Sequence, residues 1–137
     1  QKAGEVESEP DRGQTHAVNK GLKRSTGEIF NWINSDDVLT PDALQVIGRS
    51  FVDCDMLAGG NILFGEGMVE RRRRTRGLSA PALLRRDPST EIHQMAMWVR
   101  REGAIACGGV DEEMHHAFDP DFFVPFASVN PVASQVV

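Results

Sequence analysis

The sequence has few of the features that identify disulfide-stabilised or membrane-spanning proteins. It contains two cysteines, Cys54 and Cys107, which lack the close spacing of a zinc site or redox motif. Each lies among apolar neighbours, so we expect buried, reduced thiols. No apolar run is long enough to cross a bilayer, and residues 1–5 do not resemble a signal peptide. We therefore expect a cytoplasmic protein and leave peripheral membrane association open.

An excess of positive charge is also missing. The 137 residues include 15 Lys and Arg against 20 Asp and Glu, a net charge of −5. Nucleic acid is therefore not the expected partner, because phosphate binding depends on accumulated cations. The local exception is Arg71–Arg74, followed by Arg76, which we interpret as a solvated loop. The alternative is a patch for nucleic acid or another anionic surface.

What is present is the composition of an ordinary globular chain, with 40% hydrophobic and 26% charged residues and no internal repeat. Helical spacing of Ala17, Val18 and Leu22 predicts a helix over 15–24, and an Ile, Phe and Trp-rich run predicts a strand over 28–33. Thr40 as N-cap and Pro41 at the first helical position predict a second helix. Its buried stripe is expected to be Leu44, Ile47 and Phe51.

The second half of the chain continues this alternation. It predicts strands at 56–57, 61–64, 68–69 and 94–99, and short helices at 80–85 and 101–107. Gly108 and Gly109 are expected to stop the last of these helices. Pro125 is expected to break any helix that contains it. Alternating helices and strands predict an α/β layered domain.

The most informative feature is the pair Asp36-Asp37, which directly follows the predicted strand 28–33. Like charges this close repel each other, and a divalent cation between or beside them relieves the repulsion. The carboxyl ends of strands in α/β sheets are also where such folds bind ligands. The alternative is an ordinary turn that leads into a helix.

Sequence blocks on both sides of this pair occur in a fixed order. Upstream and around it are Glu9-Pro10-Asp11-Arg12-Gly13-Gln14, Asn19-Lys20-Gly21, Ser25-Thr26-Gly27-Glu28 and Asn34-Ser35-Asp36-Asp37; downstream are His93-Gln94, Val99-Arg100-Arg101, Gly108-Gly109-Val110-Asp111-Glu112 and Phe118-Asp119-Pro120-Asp121. The order and content of these blocks resemble the family 2 glycosyltransferases of the GT-A fold across most of the chain.

That resemblance implies an inverting transfer of a sugar from a nucleotide-sugar donor to a glycan, lipid or other hydroxyl acceptor, with Mg²⁺ or Mn²⁺ as cofactor. It assigns Asp37 as metal ligand, Asp36 as the residue nearer the ribose or a metal-bound water, and Asp119 as general base. The alternative for Asp119, which precedes Pro120, is a helix N-cap.

The resemblance further implies that Arg12 contacts the nucleotide, with Asp11 and Gln14 shaping the same loop. Residues 10–13 are also a good turn sequence without any ligand. Gln94 is expected on the acceptor side.

Other residues that can carry chemistry have simpler interpretations. Trp32 and Trp98 are expected in the core. His93, His115 and His116 have imidazoles that suit metals, but adjacent histidines usually point apart, so a joint site is not expected.

The implied fold is α/β, a partial GT-A (Rossmann-like nucleotide-diphospho-sugar transferase) sheet with flanking helices. We assign residues 1–127 to the glycosyltransferase domain and 128–137 to a tail that does not resemble the family. The chain begins where the family is already past its first two strands, so we expect part of a longer protein, inactive alone and prone to form a homo-oligomer. Two rivals are a non-catalytic or degenerate homologue and, less favoured, a metal-dependent phosphoryl hydrolase using the acidic pair.

Overall fold

The computed structural model describes residues 4, 8–67, 69–114 and 118–129. His115, His116 and most of the predicted tail therefore lie outside the described residues. The described part is a mixed α/β fold with small antiparallel sheets and flanking helices, as the resemblance to a partial GT-A domain implied. Within it, no helix has both the length and the apolar content needed to cross a membrane.

The central sheet has three strands, β1 (Ile29–Phe30), β2 (Met56–Ala58) and β5 (Met97–Arg100), in the order β1-β5-β2. Both outer strands pair antiparallel with β5, so they run parallel to each other on its two sides. The strand predicted over 28–33 is shorter than expected. Beyond Phe30, hydrogen bonds from side chains take the place of backbone pairing between strands. Asn31 donates to the Met95 carbonyl at 3.0 Å, and Gln94 donates to the Trp32 carbonyl at 2.6 Å.

A separate hairpin joins β3 (Gly60–Leu63) to β4 (Arg71–Arg74). The predicted loop at the arginine run was wrong, since the arginines themselves form the second strand. Of the predicted strand at 68–69, residue 68 lies outside the described residues and Val69 is not part of a strand. Their backbone groups pair with β3 while all four side chains remain exposed, so strand formation does not desolvate the charges. Gly60 permits this pairing, because a Cβ there would lie 2.6 Å from the Arg73 carbonyl oxygen.

In the described part of the chain, five α-helices flank the sheets: α1 (Gln14–Arg24), α2 (Ala43–Ser50), α3 (Ala80–Leu84), α4 (Arg101–Ala106) and α5 (Phe118–Val129). The sequence correctly predicted α1, α3 and α4 to within a residue or two. Ser79 Oγ caps α3 by accepting from Ala82 N at 3.2 Å. After α4, Gly108 and Gly109 take φ of 91° and 75°, as expected for a glycine helix stop.

Helix α2 begins later than predicted. Its N-cap is Asp42, at φ 61°, and not Thr40. Of the predicted stripe, Phe51 is buried and Ile47 is partly buried, but Leu44 is 54% exposed, so that part of the prediction was wrong. Ile47, in the second turn of the helix, packs against a small cluster of Phe51, Cys54 and Leu57.

Helix α5 contains Pro125, so the predicted break at this residue was wrong. A proline inside a helix costs about 3 kcal/mol. Phe122, Phe123 and Phe126 are almost completely buried, and each contributes roughly 1.5–3 kcal/mol by leaving water. The packing of these rings therefore exceeds the cost of the proline.

The main core lies between the sheet and α5. Trp32 stacks on Phe118 and Phe123 at centroid distances of 6.0 and 5.9 Å, which confirms it as a core residue. Trp98 is half-buried against the smaller cluster. Both cysteines are free thiols, as predicted; Cys54 is buried as expected, whereas Cys107 is only half-buried.

Candidate functional site

The acidic pair lies in a tight turn at the end of the chain segment that continues β1. Asp37 N donates to the Asn34 carbonyl at 3.1 Å, and Asn34 N donates to Asp37 Oδ2 at 3.3 Å. The turn interpretation is therefore correct as local structure. It also separates the two carboxylates: Asp36 is exposed, whereas Asp37 is half-buried and faces a cleft.

This cleft, here called the α2–β3 cleft, has a volume of about 510 Å³. It lies between the segment that leads into α2 and strand β3. Carboxylates at its edge are Asp37 and Glu70. The rest of its lining is mainly apolar, and includes Val38, Leu39, Val46, Ile62, Phe64 and Met95. Asp37 therefore joins a polar turn to an apolar cavity.

The loop before α1 is held by its own side chains. Asp11 Oδ1 accepts from Gly13 N at 3.0 Å, and Arg12 N donates to His16 Nδ1 at 3.1 Å. Asp11 lines a second, more polar cleft of about 570 Å³ together with Lys20. Asp11 and Asp37 thus face different clefts, although the sequence grouped them at one donor site.

One hydrogen bond connects the loop before α1 to the acidic turn. Gln14 Nε2 donates to Asn34 Oδ1 at 2.9 Å. The first residue of α1 and the turn that carries Asp37 are therefore adjacent.

A second connection joins the same loop to residues 110–112. Arg12 forms an ion pair with Glu112, whose other carboxylate oxygen accepts from Asn19 Nδ2 at 3.0 Å. Asn19 also donates to the Val110 carbonyl at 2.7 Å and accepts from Val110 N at 2.9 Å. Hydrogen bonds from Asn19 and then Arg12 lower the pKa of Glu112. The hydrogen bond from Asn19 thus holds the Glu112 carboxylate, which is the ion-pair partner of Arg12.

Sequence reasoning quoted Asn19 and Glu112 only as parts of motifs and gave neither a role. The position of Asn19 on α1 could have indicated its role. The buried face of this helix is formed by Thr15, Val18, Asn19 and Leu22, whereas Ala17, which was predicted on that face, is exposed. A buried amide must find hydrogen-bond partners, so Asn19 on this face indicates a contact with a distant segment.

Asp119 is the second residue of α5, so it lies within the first turn of the helix and does not precede it as an N-cap. It is half-buried, and this burial raises the pKa of its carboxyl group. Its neighbour Phe118 stacks on Trp32. Through this contact Asp119 is placed near Trp32, which precedes the acidic turn in the sequence. It lines neither of the two clefts described above.

The block His93-Gln94 is joined to residues 31–32, which precede the acidic turn. Gln94 donates to the Trp32 carbonyl, which makes it a structural link to the residues before the acidic turn. Burial lowers the pKa of His93, and its Nε2 lies 3.5 Å from Glu91 Oε1. Among the residues that the structure describes, no three His, Cys, Asp or Glu side chains are grouped so that they could hold a metal ion.

Comparison with known protein families identifies the family of this chain. The family model described as Glycosyl transferase family 2 matches residues 5–112, which is more than three quarters of the chain. The match includes Arg12, Asn19, the acidic turn and Glu112, whereas Asp119 lies beyond it. No curated protein matches the chain. On the strength of the family match, which spans both connections described above, the chain belongs to glycosyl transferase family 2.

Proposed function

We propose that this chain contributes the metal-binding turn and the catalytic base of an inverting glycosyltransferase, which moves a sugar from a nucleotide-diphosphate donor to an acceptor hydroxyl. The observation that supports this most is the position of Asp37: it ends the segment after β1, is half-buried and lines the largely apolar α2–β3 cleft, within the matched residues. Carboxyl ends of strands are the usual ligand-binding positions of such sheets.

The donor set fits Mg²⁺ or Mn²⁺. Hard divalent cations are often held by one or two carboxylates, with substrate phosphates and water as the remaining ligands. The turn offers Asp37, with Asp36 beside it, as the one or two carboxylates of such a site. When bound, the cation supplies Lewis-acid stabilisation of the leaving diphosphate.

In this proposal Arg12 and the loop around Asp11 contact the nucleotide. The guanidinium of Arg12 is exposed and paired with Glu112, so an incoming phosphate competes with one carboxylate for it. Gln14 holds this loop against the turn that carries Asp37. The loop and the turn are therefore expected to respond to the same donor.

Asp119 is the proposed base. Its burial raises the pKa of the carboxyl group toward the operating pH, which favours proton transfer from an acceptor hydroxyl. A single base with no covalent nucleophile is sufficient for one direct displacement, and hence for inversion.

A thermal-shift titration tests the proposal. We expect Mn²⁺ with one member of a panel of nucleoside diphosphates to raise the melting temperature, and either component alone to have a smaller effect. Stabilisation by Mn²⁺ alone, with no nucleotide effect, would favour the phosphoryl hydrolase. No stabilisation by any combination would favour a non-catalytic homologue.

A further inference from the structure

We propose that the open edge of strand β4 (Arg71–Arg74) binds an acidic, extended segment of a partner protein, which adds to the β3–β4 hairpin as a third strand. None of the four arginines lines either cleft described above, so this surface is separate from them. The inference does not depend on the proposed glycosyltransferase activity. Its basis is the unpaired strand edge, the exposure of the arginines and the acidic character of the rest of the chain.

Strand β4 has an edge without a partner strand. Among the described residues it pairs only with β3, and the two strands form a sheet of their own. Backbone N–H and C=O groups alternate in direction along a strand, so about half of those in β4 point away from β3. Extended peptides commonly bind to proteins by pairing with such an edge.

Contacts at the carboxyl end of β4 hold the strand in place. Thr75 is buried, and its Oγ1 donates to the Gly59 carbonyl at 2.8 Å. Arg76 exchanges two backbone hydrogen bonds with Glu91, at 2.9 and 3.0 Å. The receiving strand is therefore already formed, and only the incoming segment has to lose conformational freedom on binding.

The arginine side chains lie on both faces of the hairpin. Successive side chains of a strand point to opposite faces, which places Arg71 and Arg73 on one face and Arg72 and Arg74 on the other. All four are exposed, and none takes part in the ion pairs found among the described residues. A flat anionic surface can contact only one face, whereas an added strand places a side chain beside every arginine.

The charge of β4 determines which segment fits. Like charges directly opposite each other destabilise paired strands, so the arginines oppose pairing of β4 with the same strand of a second copy. Carboxylates opposite arginine form charge-assisted hydrogen bonds, which favour a segment rich in aspartate or glutamate. Charges on an edge can also serve only to prevent aggregation, and this alternative predicts that no acidic peptide binds.

The rest of the chain disfavours larger polyanions. Arg71–Arg74 and Arg76 are five of the 15 Lys and Arg residues, whereas the chain has 20 Asp and Glu. The surface outside this strand is therefore strongly acidic, and it repels the long phosphate arrays of a nucleic acid or an anionic bilayer. A single extended segment contacts β4 without covering that acidic surface.

Calorimetric titration of the whole chain with a synthetic peptide tests the proposal. The peptide carries a run of four glutamates flanked by threonines, and a matched peptide has glutamine in place of glutamate. We expect the acidic peptide to bind at least about tenfold more tightly, because the glutamine peptide lacks the charge-assisted contacts. Equal affinities would overturn the proposal. No binding of the acidic peptide would also overturn it and leave protection of the edge as the role of the arginines.

Methylation of backbone nitrogens in the acidic peptide tests strand addition. In an added strand only alternate N–H groups face β4. Methylation of one alternate set should therefore weaken binding at least about tenfold, and methylation of the other set should change it little. Equal affinities of the two methylated peptides would refute strand addition, since attraction between charges does not distinguish them.

Variants locate the binding surface. Arg72→Glu combined with Arg74→Glu should weaken binding of the acidic peptide at least about tenfold. Arg49→Glu combined with Arg85→Glu changes the net charge equally at exposed positions outside β4, and at physiological salt it should weaken binding less than about twofold. Equal losses in the two double variants would contradict the proposal. Circular dichroism reports the fold, and the corresponding Gln variants give the same comparison if a Glu variant does not fold.

Two other partners are outcomes of the same titration. Phosphatidylglycerol vesicles that bind as tightly as the acidic peptide would identify a membrane surface as the partner. A DNA duplex that binds as tightly would identify nucleic acid. Either result would overturn the assignment of an acidic protein segment.

Discussion

At the scale of single residues, Asp37 combines two properties that usually exclude each other. Its carboxylate stabilises a turn through the Asn34 backbone, and it also faces a cleft. The hydrogen bond from Asn34 N to Asp37 Oδ2 is 3.3 Å long, which is more than the usual length. The carboxylate therefore stabilises the turn only weakly. Its role in the fold is therefore small compared with its proposed role as a ligand.

This gives the first prediction. Asp37→Asn should weaken Mn²⁺ binding about tenfold or more while it changes the free energy of unfolding by less than about 1 kcal/mol, because an anionic ligand is lost from an open turn. Isothermal calorimetry measures the affinity and urea unfolding the stability. Ser35→Ala, in the same turn, is the control. An unchanged Mn²⁺ affinity would show that the acidic pair forms a turn and does not bind the metal.

The second prediction concerns Asp119. Its pKa is raised by burial, so the folded state binds this proton more tightly than the unfolded state. Its contribution to stability therefore falls as pH rises from the ordinary aspartate pKa through the raised folded value. Asp119→Asn should raise the free energy of unfolding at neutral pH, and the difference should disappear under acid conditions. Denaturant unfolding at a series of pH values measures it.

The same substitution should lower turnover by about two to four orders of magnitude in an active preparation, the usual contribution of a positioned base. Asp121→Asn, in the same helical turn but paired with Arg86, is the control for general effects on α5. A protein that is more stable and almost as active would identify Asp119 as a strained structural residue and remove it from the mechanism.

At the scale of elements, the contact between α1 and residues 110–112 determines where Arg12 lies. Asn19 satisfies both backbone groups of Val110 and one oxygen of Glu112. Gly109 allows the approach: its φ is 75°, and a Cβ there would lie 2.4 Å from Asn19 Oδ1. Helix α1 and the loop after α4 are thus joined by one buried amide.

The third prediction follows from this contact. Asn19→Ala should destabilise the fold by about 2–4 kcal/mol, because the Val110 N–H and C=O lose their partner while buried. Glu112→Gln leaves the Val110 bonds intact and should strengthen nucleotide binding with little loss of stability, because Arg12 loses the carboxylate that competes with phosphate. Urea unfolding and nucleotide titration of both variants separate the two roles. Equal loss of stability in the two variants would show that Glu112 acts only in the fold.

At the scale of the whole molecule, apolar side chains remain exposed on several elements. Leu44 is 54% exposed and Val52 is 63% exposed, both outside the α2–β3 cleft. Strands β1 and β2 are the edges of a sheet of only three strands. Such edges and faces are prone to association.

The fourth prediction is therefore that this chain self-associates at micromolar concentration. Light scattering measures the distribution of monomer and larger species. Leu44→Lys should shift the distribution toward monomer, while Lys23→Gln, at an exposed site on α1, should not. A chain that stays monomeric at these concentrations would contradict the prediction.

Local signals in the sequence were sufficient for α1, α3, α4 and the turn at Asp37. In each case a capping residue, a glycine stop or an apolar spacing lies within a few residues of the element it specifies, so the cause of the structure is local. The family resemblance could also be predicted, because it depends on the order of short motifs and not on their contacts.

Only the tertiary structure decided the remaining features. The arginine run became a strand because β3 supplied its hydrogen-bond partners, and Pro125 stayed inside α5 because three buried phenylalanines outweighed its cost. Likewise, the pairing of Arg12 with Glu112 and the separation of Asp11 from Asp37 depend on contacts between segments far apart in the chain. Local sequence contains the capping and turn signals, but the free energy of such long-range contacts exists only once the chain has folded.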